Sequence, residues 1–140
     1  MAMQLLYFTG LFTKSVYELL QTMRIFMQLV TEKITLDELR TMSAKMYNHL
    51  VKAVVDIEKN IMVVDADFHA DQEEFLLDRE SAQEYLWGIN LYPDKWGTDN
   101  FIEFDSMINI RPSWGNGSRN VEDPKIQKKI IEVVRTLVMQ

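Results

Sequence analysis

Cysteine is absent from all 140 residues. That excludes disulfides, thiolate nucleophiles and cysteine-held zinc, and it is compatible with a reducing compartment. Histidine occurs only twice, which argues against a histidine-rich transition-metal site. Basic excess is missing as well. Lysine and arginine number 15 against 21 acids, a net charge of −6, so the footprint that nucleic acid or an anionic membrane needs is not there. No apolar run reaches the roughly 18 residues of a membrane span. The apolar opening MAMQLLYFTGLF has no basic stretch ahead of it and is closed by Lys14. It does not read as a secretory leader, and the cytoplasm is the expected location.

What is present suits a soluble α+β domain. Hydrophobic residues make up 47% and charged residues 26%, ordinary for a globular chain. Over residues 13–23, Val16, Leu19, Leu20 and Met23 share one helical face, with Thr13 as cap. IFMQLV at 25–30 reads as a short strand. Thr35 with Glu38 three residues on is a capping box, opening a helix that turns Leu36, Leu39 and Met42 or Met46 inward. Residues 50–58 and 61–69 predict a hairpin about a two-residue turn, Lys59-Asn60, pairing Ile57 with Met62 and Val55 with Val64. Val51, Ala53, Val55, Ile57, Met62, Val64 and Phe68 then share the core face. Asp56, Glu58, Asp65, Asp67 and His69 share the other, read as solvated.

Residues 70–78 predict a short helix opened by Asp71. Residues 85–92 and 101–111 predict strands joined through Pro93 and Gly97. On the second, Ile102, Phe104, Ser106, Ile108 and Ile110 alternate with Glu103, Asp105, Met107, Asn109 and Arg111. A Pro-, Gly-, Ser- and Asn-rich loop follows. A last helix has Asp123 as N-cap and Pro124 at its first position, with Ile126, Ile130, Val133, Val134 and Leu137 on one face. The fold class is α+β: a mainly antiparallel sheet of about five strands with helices packed on one face.

LVKAVVDIE, HADQE, LWGINLYP, IEFDSMINIRP and the run GNGSRNVED together resemble a family of short bacterial proteins known only as a domain of unknown function. The resemblance covers about residues 27–138 and implies no activity, ligand or catalytic residue. It implies that residues 1–26 are an extension, partly helical, before a single domain at 27–140. It also sets an arginine where this chain has Gly117, which counts against an anion-binding role for that loop.

Three patterns bear on chemistry. His69, Asp71 and Glu73 of HADQE would converge on a divalent cation if the segment were extended; if Asp71 caps a helix, it is already employed there. Asp56, Asp65 and Asp67 would sit as diagonal neighbours roughly 7–8 Å apart on one sheet face. Glu103, Asp105, Asn109 and Arg111 project from one strand face, with Asn90 beside them, and asparagine is disfavoured in strands. Trp87 reads as core, and Trp96 and Trp114 as loop indoles that mark a contact surface. The loop holding Asn116 and Arg119 offers backbone N–H groups ahead of the last helix. Ser106 lacks a nucleophile elbow.

The expected function is binding of a polar ligand or protein partner through residues 90–119, with Asn90, Glu103, Asp105, Asn109, Arg111, Asn116 and Arg119 as the ligand-binding set. The alternative is a metal-dependent hydrolase on the acidic face, using Asp56, Asp67 and His69 with Asp105. No cofactor is called for. The expected partners are another protein or a second copy of the chain, with neither membrane nor nucleic acid.

Overall fold

A computed structural model describes residues 16, 18 and 26–140. Val16 and Glu18 are helical. The rest of the helix expected over 13–23 lies outside the described residues, as does most of the 1–26 extension.

The sheet has β1 (Gln28–Val30), β3 (Val51–Asp56), β4 (Ile61–Val64), β5 (Leu86–Leu91) and β6 (Ile102–Glu103), in the order β1-β4-β3-β5-β6. Every pairing in it is antiparallel. β3 is central because it is apolar in both directions: Val51, Ala53 and Val55 enter one core and Val54 the other. The hairpin differs from its sequence reading by two residues, since Val55 pairs with Met62 and Ala53 with Val64. The turn is therefore Ile57 to Asn60. Asn60 does adopt a positive φ, 58°. The Asp56 carboxylate accepts from the Glu58 and Lys59 N–H groups, both at 2.9 Å, an aspartate turn that alternation alone does not reveal. An even slip keeps each side chain on its face, so the core residues of this hairpin stay where they were expected. Phe68 does not: Asp65, at φ 71°, ends the strand, and Phe68 is exposed.

The first face carries α1 (Leu36–Ser43) and α3 (Pro124–Leu137). Thr35 and Glu38 cap α1 reciprocally, the Glu38 N–H donating at 3.1 Å and the Thr35 N–H at 2.7 Å; α1 buries Leu36, Leu39 and Met42. Asp123 caps α3 through the Lys125 N–H at 2.8 Å, and Ile130, Val133, Val134 and Leu137 go inward. Beyond α3, β7 (Val138–Met139) pairs in parallel with β2 (Ile34–Thr35), locking the C-terminal end beside the start of α1.

The second face is not solvated. α2 (His69–Leu77) lies on it, and Leu76 joins Met27, Val54, Val63 and Leu86 in a smaller core. Helices thus cover both faces, two on one and one on the other. The near-continuous apolar runs of β3 and β4 are the signature of burial on both sides.

β5 and β6 meet only at Asn90–Glu103 and Leu91–Ile102. The strand expected to run to 111 stops at Glu103. Ser106 then caps a tight turn over Met107–Asn109 through the Ile108 N–H and packs directly on Gly88. A Cβ at Gly88 would stand 2.5 Å from both Cβ and Oγ of Ser106, closer than van der Waals contact permits. Gly88→Ala is therefore expected to cost about 1–3 kcal/mol through overpacking, read as a lower denaturant midpoint. An unchanged midpoint would show that the Ser106 segment gives way freely.

Candidate functional site

Because β6 covers only the end of β5, Leu86 and Gly88 present backbone groups to side chains instead of a strand. The Asn109 side-chain amide behaves like a peptide unit. Its Oδ1 accepts the Gly88 N–H and its Nδ2 donates to the Gly88 carbonyl, both at 2.9 Å, and Nδ2 also donates to the Arg119 carbonyl at 3.0 Å. Arg111 continues the edge. It donates to the carbonyls of Leu86 at 2.5 Å, Gln83 at 3.0 Å and Ile108 at 3.1 Å. Its guanidinium lies between two indoles, 4.2 Å from the Trp87 ring centre and 5.6 Å from that of Trp114. Burial pulls its pKa down, and the charge of Glu73 acts the other way. Its polar partners are carbonyls, and none of Glu103, Asp105 and Asp123 pairs with it.

Asn116 is equally committed. Its Nδ2 donates to the carbonyls of Asn109, Ser118 and Asn120 at 2.8, 3.0 and 2.7 Å, and its Oδ1 accepts the Glu122 N–H at 2.8 Å. The loop N–H groups expected to be open to an anion are taken from within. Glu122 accepts from Gly117 N–H, Ser118 N–H and Ser118 Oγ at 2.8, 2.9 and 2.8 Å, and these bonds, that of the Ser118 side chain foremost, hold its carboxyl below the usual carboxylate range.

The remaining expected residues stand together on the second face. Asn90 is 4% exposed. Its Nδ2 donates to Glu103 Oε1 at 2.7 Å and more weakly to the Asp105 carbonyl at 3.4 Å. Tyr92 OH donates to the same Glu103 oxygen at 3.2 Å. These bonds orient the amide, and Asn90 Oδ1 is a buried acceptor without a donor. Arg119 pairs with Asp105 at 2.6 Å. Lys52 lies directly across from Asn90 on β3.

α2 closes over this row. His69 is its first residue, and His69 Nε2 lies 2.7 Å from the Ile89 carbonyl; a carbonyl only accepts, so Nε2 carries the proton. Burial lowers the His69 pKa to about 4 against the opposing pull of that bond. One turn on, Gln72 Nε2 donates to the Lys52 carbonyl at 2.7 Å, and its Oε1 is a second buried acceptor without a donor. Lys52, Gln72 and Tyr92 escaped the sequence reading. The three-residue spacing of His69 and Gln72, which puts both on one helix face, was the available signal.

The acidic alternative is not assembled. Asp56 is buried and accepts from Ser81 Oγ at 2.7 Å besides holding its turn. Asp65 takes Lys45 at 2.8 Å, Asp67 is exposed, and His69 faces Ile89. Asp71 sits in the first turn of α2 rather than capping it, since Phe68 is the N-cap residue. No group of three His, Cys, Asp or Glu side chains able to hold a metal occurs among the described residues. Trp87 is core as expected, whereas Trp96 is half-buried, edge-on to Phe101 at 4.9 Å. Trp114 remains 54% exposed. No helix among the described residues is long and apolar enough to cross a membrane.

A family model described as protein of unknown function (DUF5674) matches residues 28–137. No curated protein and no solved structure matches the chain.

His69 makes stability depend on pH. Its folded pKa, about 4, lies below the usual unfolded value near 6.5. The unfolded chain thus binds the extra proton first, and stability present above pH 6.5 is lost as the pH falls toward 4. The expected loss is roughly 3 kcal/mol. His69→Gln, which keeps a donor for the Ile89 carbonyl without a titrating ring, should flatten that part of the curve in urea unfolding between pH 7.5 and 4.5. Parallel curves for the two proteins would contradict this.

Proposed function

The chain belongs to the DUF5674 family of unknown function, and we propose that it binds a small polar ligand on the face around Asn90. The observation that carries this reading is the unpartnered Asn90 Oδ1. A buried acceptor without a donor costs about 1–3 kcal/mol, and a ligand that brings an N–H or O–H group removes that cost. Glu103, Asp105 and Arg119 form the rim the ligand would touch. Asn109, Arg111 and Asn116, whose donors are bound to backbone carbonyls, act as positioning residues that hold β5 and the loop in place.

A cytoplasmic location is part of the proposal, since a chain without cysteine suits a reducing compartment. A protein partner or second copy is its other part. Met107, Ile110 and Trp114 are exposed apolar side chains in the segment flanking Arg111, and such side chains favour contact surfaces.

The test is a ¹⁵N NMR titration with a panel of polyols, amines, amino acids and nucleosides. At least one class is expected to shift the Asn90 side-chain amide and the backbone amides of Glu103 and Asp105. In Asn90→Leu the shifts at Glu103 and Asp105 should vanish while the protein stays folded. A panel that leaves these amides unmoved would overturn the proposal.

A further inference from the structure

We infer that the ligand is a zwitterion bearing a primary ammonium and a carboxylate, seated along the row Lys52–Asn90–Glu103. This rests on the binding role just proposed for Asn90. The register supplies the geometry: Lys52 is the Cα partner of Asn90, and Asn90 of Glu103. Directly opposed residues of antiparallel strands share a face, so three adjacent strands set out a cation, an amide and an anion in line.

Neither charge is paired with an opposite charge among the described residues. The Lys52 ammonium has no hydrogen-bond or ion-pair partner among the described residues. Glu103 accepts only from the neutral groups of Asn90 and Tyr92. Of the other cations close by, Arg119 is held by Asp105 and Lys95 lies over the Tyr92 ring at 4.4 Å. His69 above the row is neutral near pH 7, its pKa being about 4. What the row lacks is an anion at Lys52, a cation at Glu103 and a donor for Asn90 Oδ1. An ammonium has three donors and no acceptor, and so serves Oδ1 and the Glu103 carboxylate together.

The spacing bounds the length. Two interstrand steps of about 4.8 Å separate the Lys52 and Glu103 backbones by roughly 10 Å. The Glu103 carboxylate leans back to Asn90 at 2.7 Å and the Lys52 ammonium swings on a flexible stem, so ion-pair contacts of about 2.8 Å at each end leave at most about 4–5 Å between the charged ends of the ligand. A γ-amino acid is the longest that fits. The charged ends of an α-amino acid stand closer, about 3 Å apart.

The experiment titrates the protein with γ-aminobutyrate, and in parallel with butylamine, butyrate, glycine and glycerol, following the Asn90 side-chain amide by NMR. γ-Aminobutyrate is expected to bind at least tenfold more tightly than butylamine or butyrate, with glycine marking how short a zwitterion still bridges the two charges. Lys52→Met and Glu103→Gln should each abolish that preference, while Lys52→Arg, which keeps the charge, should retain it. Unchanged circular dichroism assigns the losses to the site; an unfolded variant is replaced in the comparison by Lys52→Gln or Glu103→Ala, each expected to weaken γ-aminobutyrate at least tenfold. Butylamine or glycerol binding as well as γ-aminobutyrate would overturn the zwitterion assignment and leave Asn90 as a ligand group. Silence of the Asn90 amide toward every probe of both panels would overturn the binding role itself.

Discussion

The edge of β5 is finished by side chains, and most of the second half of the chain depends on that. A strand edge buried without partners would leave several peptide groups unsatisfied, each at a cost of about 1–3 kcal/mol. Asn109 answers both polar groups of Gly88 with one amide, and Arg111 answers the Leu86 carbonyl. The Asn109 match requires close approach, which is why position 88 has no side chain: Ser106 stands where a Cβ would be. Arg111 is a buried cation with no carboxylate in direct contact. Three carbonyls and two indole faces replace its water, an arrangement suited to the planar, weakly hydrated guanidinium and not to an ammonium. Asn116 in turn ties the loop back onto Asn109, so the three residues act as one unit.

That closure also shapes the polar row. With side chains covering Leu86 to Gly88, β6 can end after two residues, and Glu103 and Asp105 remain beside Asn90 instead of disappearing into a longer ladder. α2 ties itself to the same strands through the carbonyls of Ile89 and Lys52. The site is therefore built on the sheet and buttressed from above, with two unmet acceptors, Asn90 Oδ1 and Gln72 Oε1, beside the row. A surface of that kind recognises ligands by what they donate.

Much of this was legible from residue order, and the failures share a cause. The two capped helices, the antiparallel sheet and the core face of the hairpin follow from local rules: Thr35 with Glu38, Asp123 with Pro124, and the alternation through Val51, Ala53 and Val55. Asn90 and Asn109 stood out as asparagines in apolar strands, and both prove to be buried hydrogen-bonding centres. What could not be read was where side chains replace backbone. Asp56 lengthens a turn, Ser106 stops a strand, and Asn109 and Arg111 stand in for the missing part of β6. Each substitutes a side-chain hydrogen bond for a ladder bond, and binary pattern carries no mark of that. The placement of α2 on the second face was missed because His69 and Gln72, polar by type, are the residues that bind it there.

The most direct measurement of the central claim is amide hydrogen exchange at Gly88, compared with amides of the β3–β4 ladder in the same protein. If Asn109 completes the edge, Gly88 is protected like a ladder amide in the native chain. In Asn109→Ala it should exchange about tenfold faster or more relative to that ladder, matching loss of one buried hydrogen bond of about 1–1.5 kcal/mol. Taking the ratio within one protein removes any global loss of stability. A Gly88 amide that exchanges freely in the native chain, or one whose relative protection is untouched by Asn109→Ala, would contradict the account.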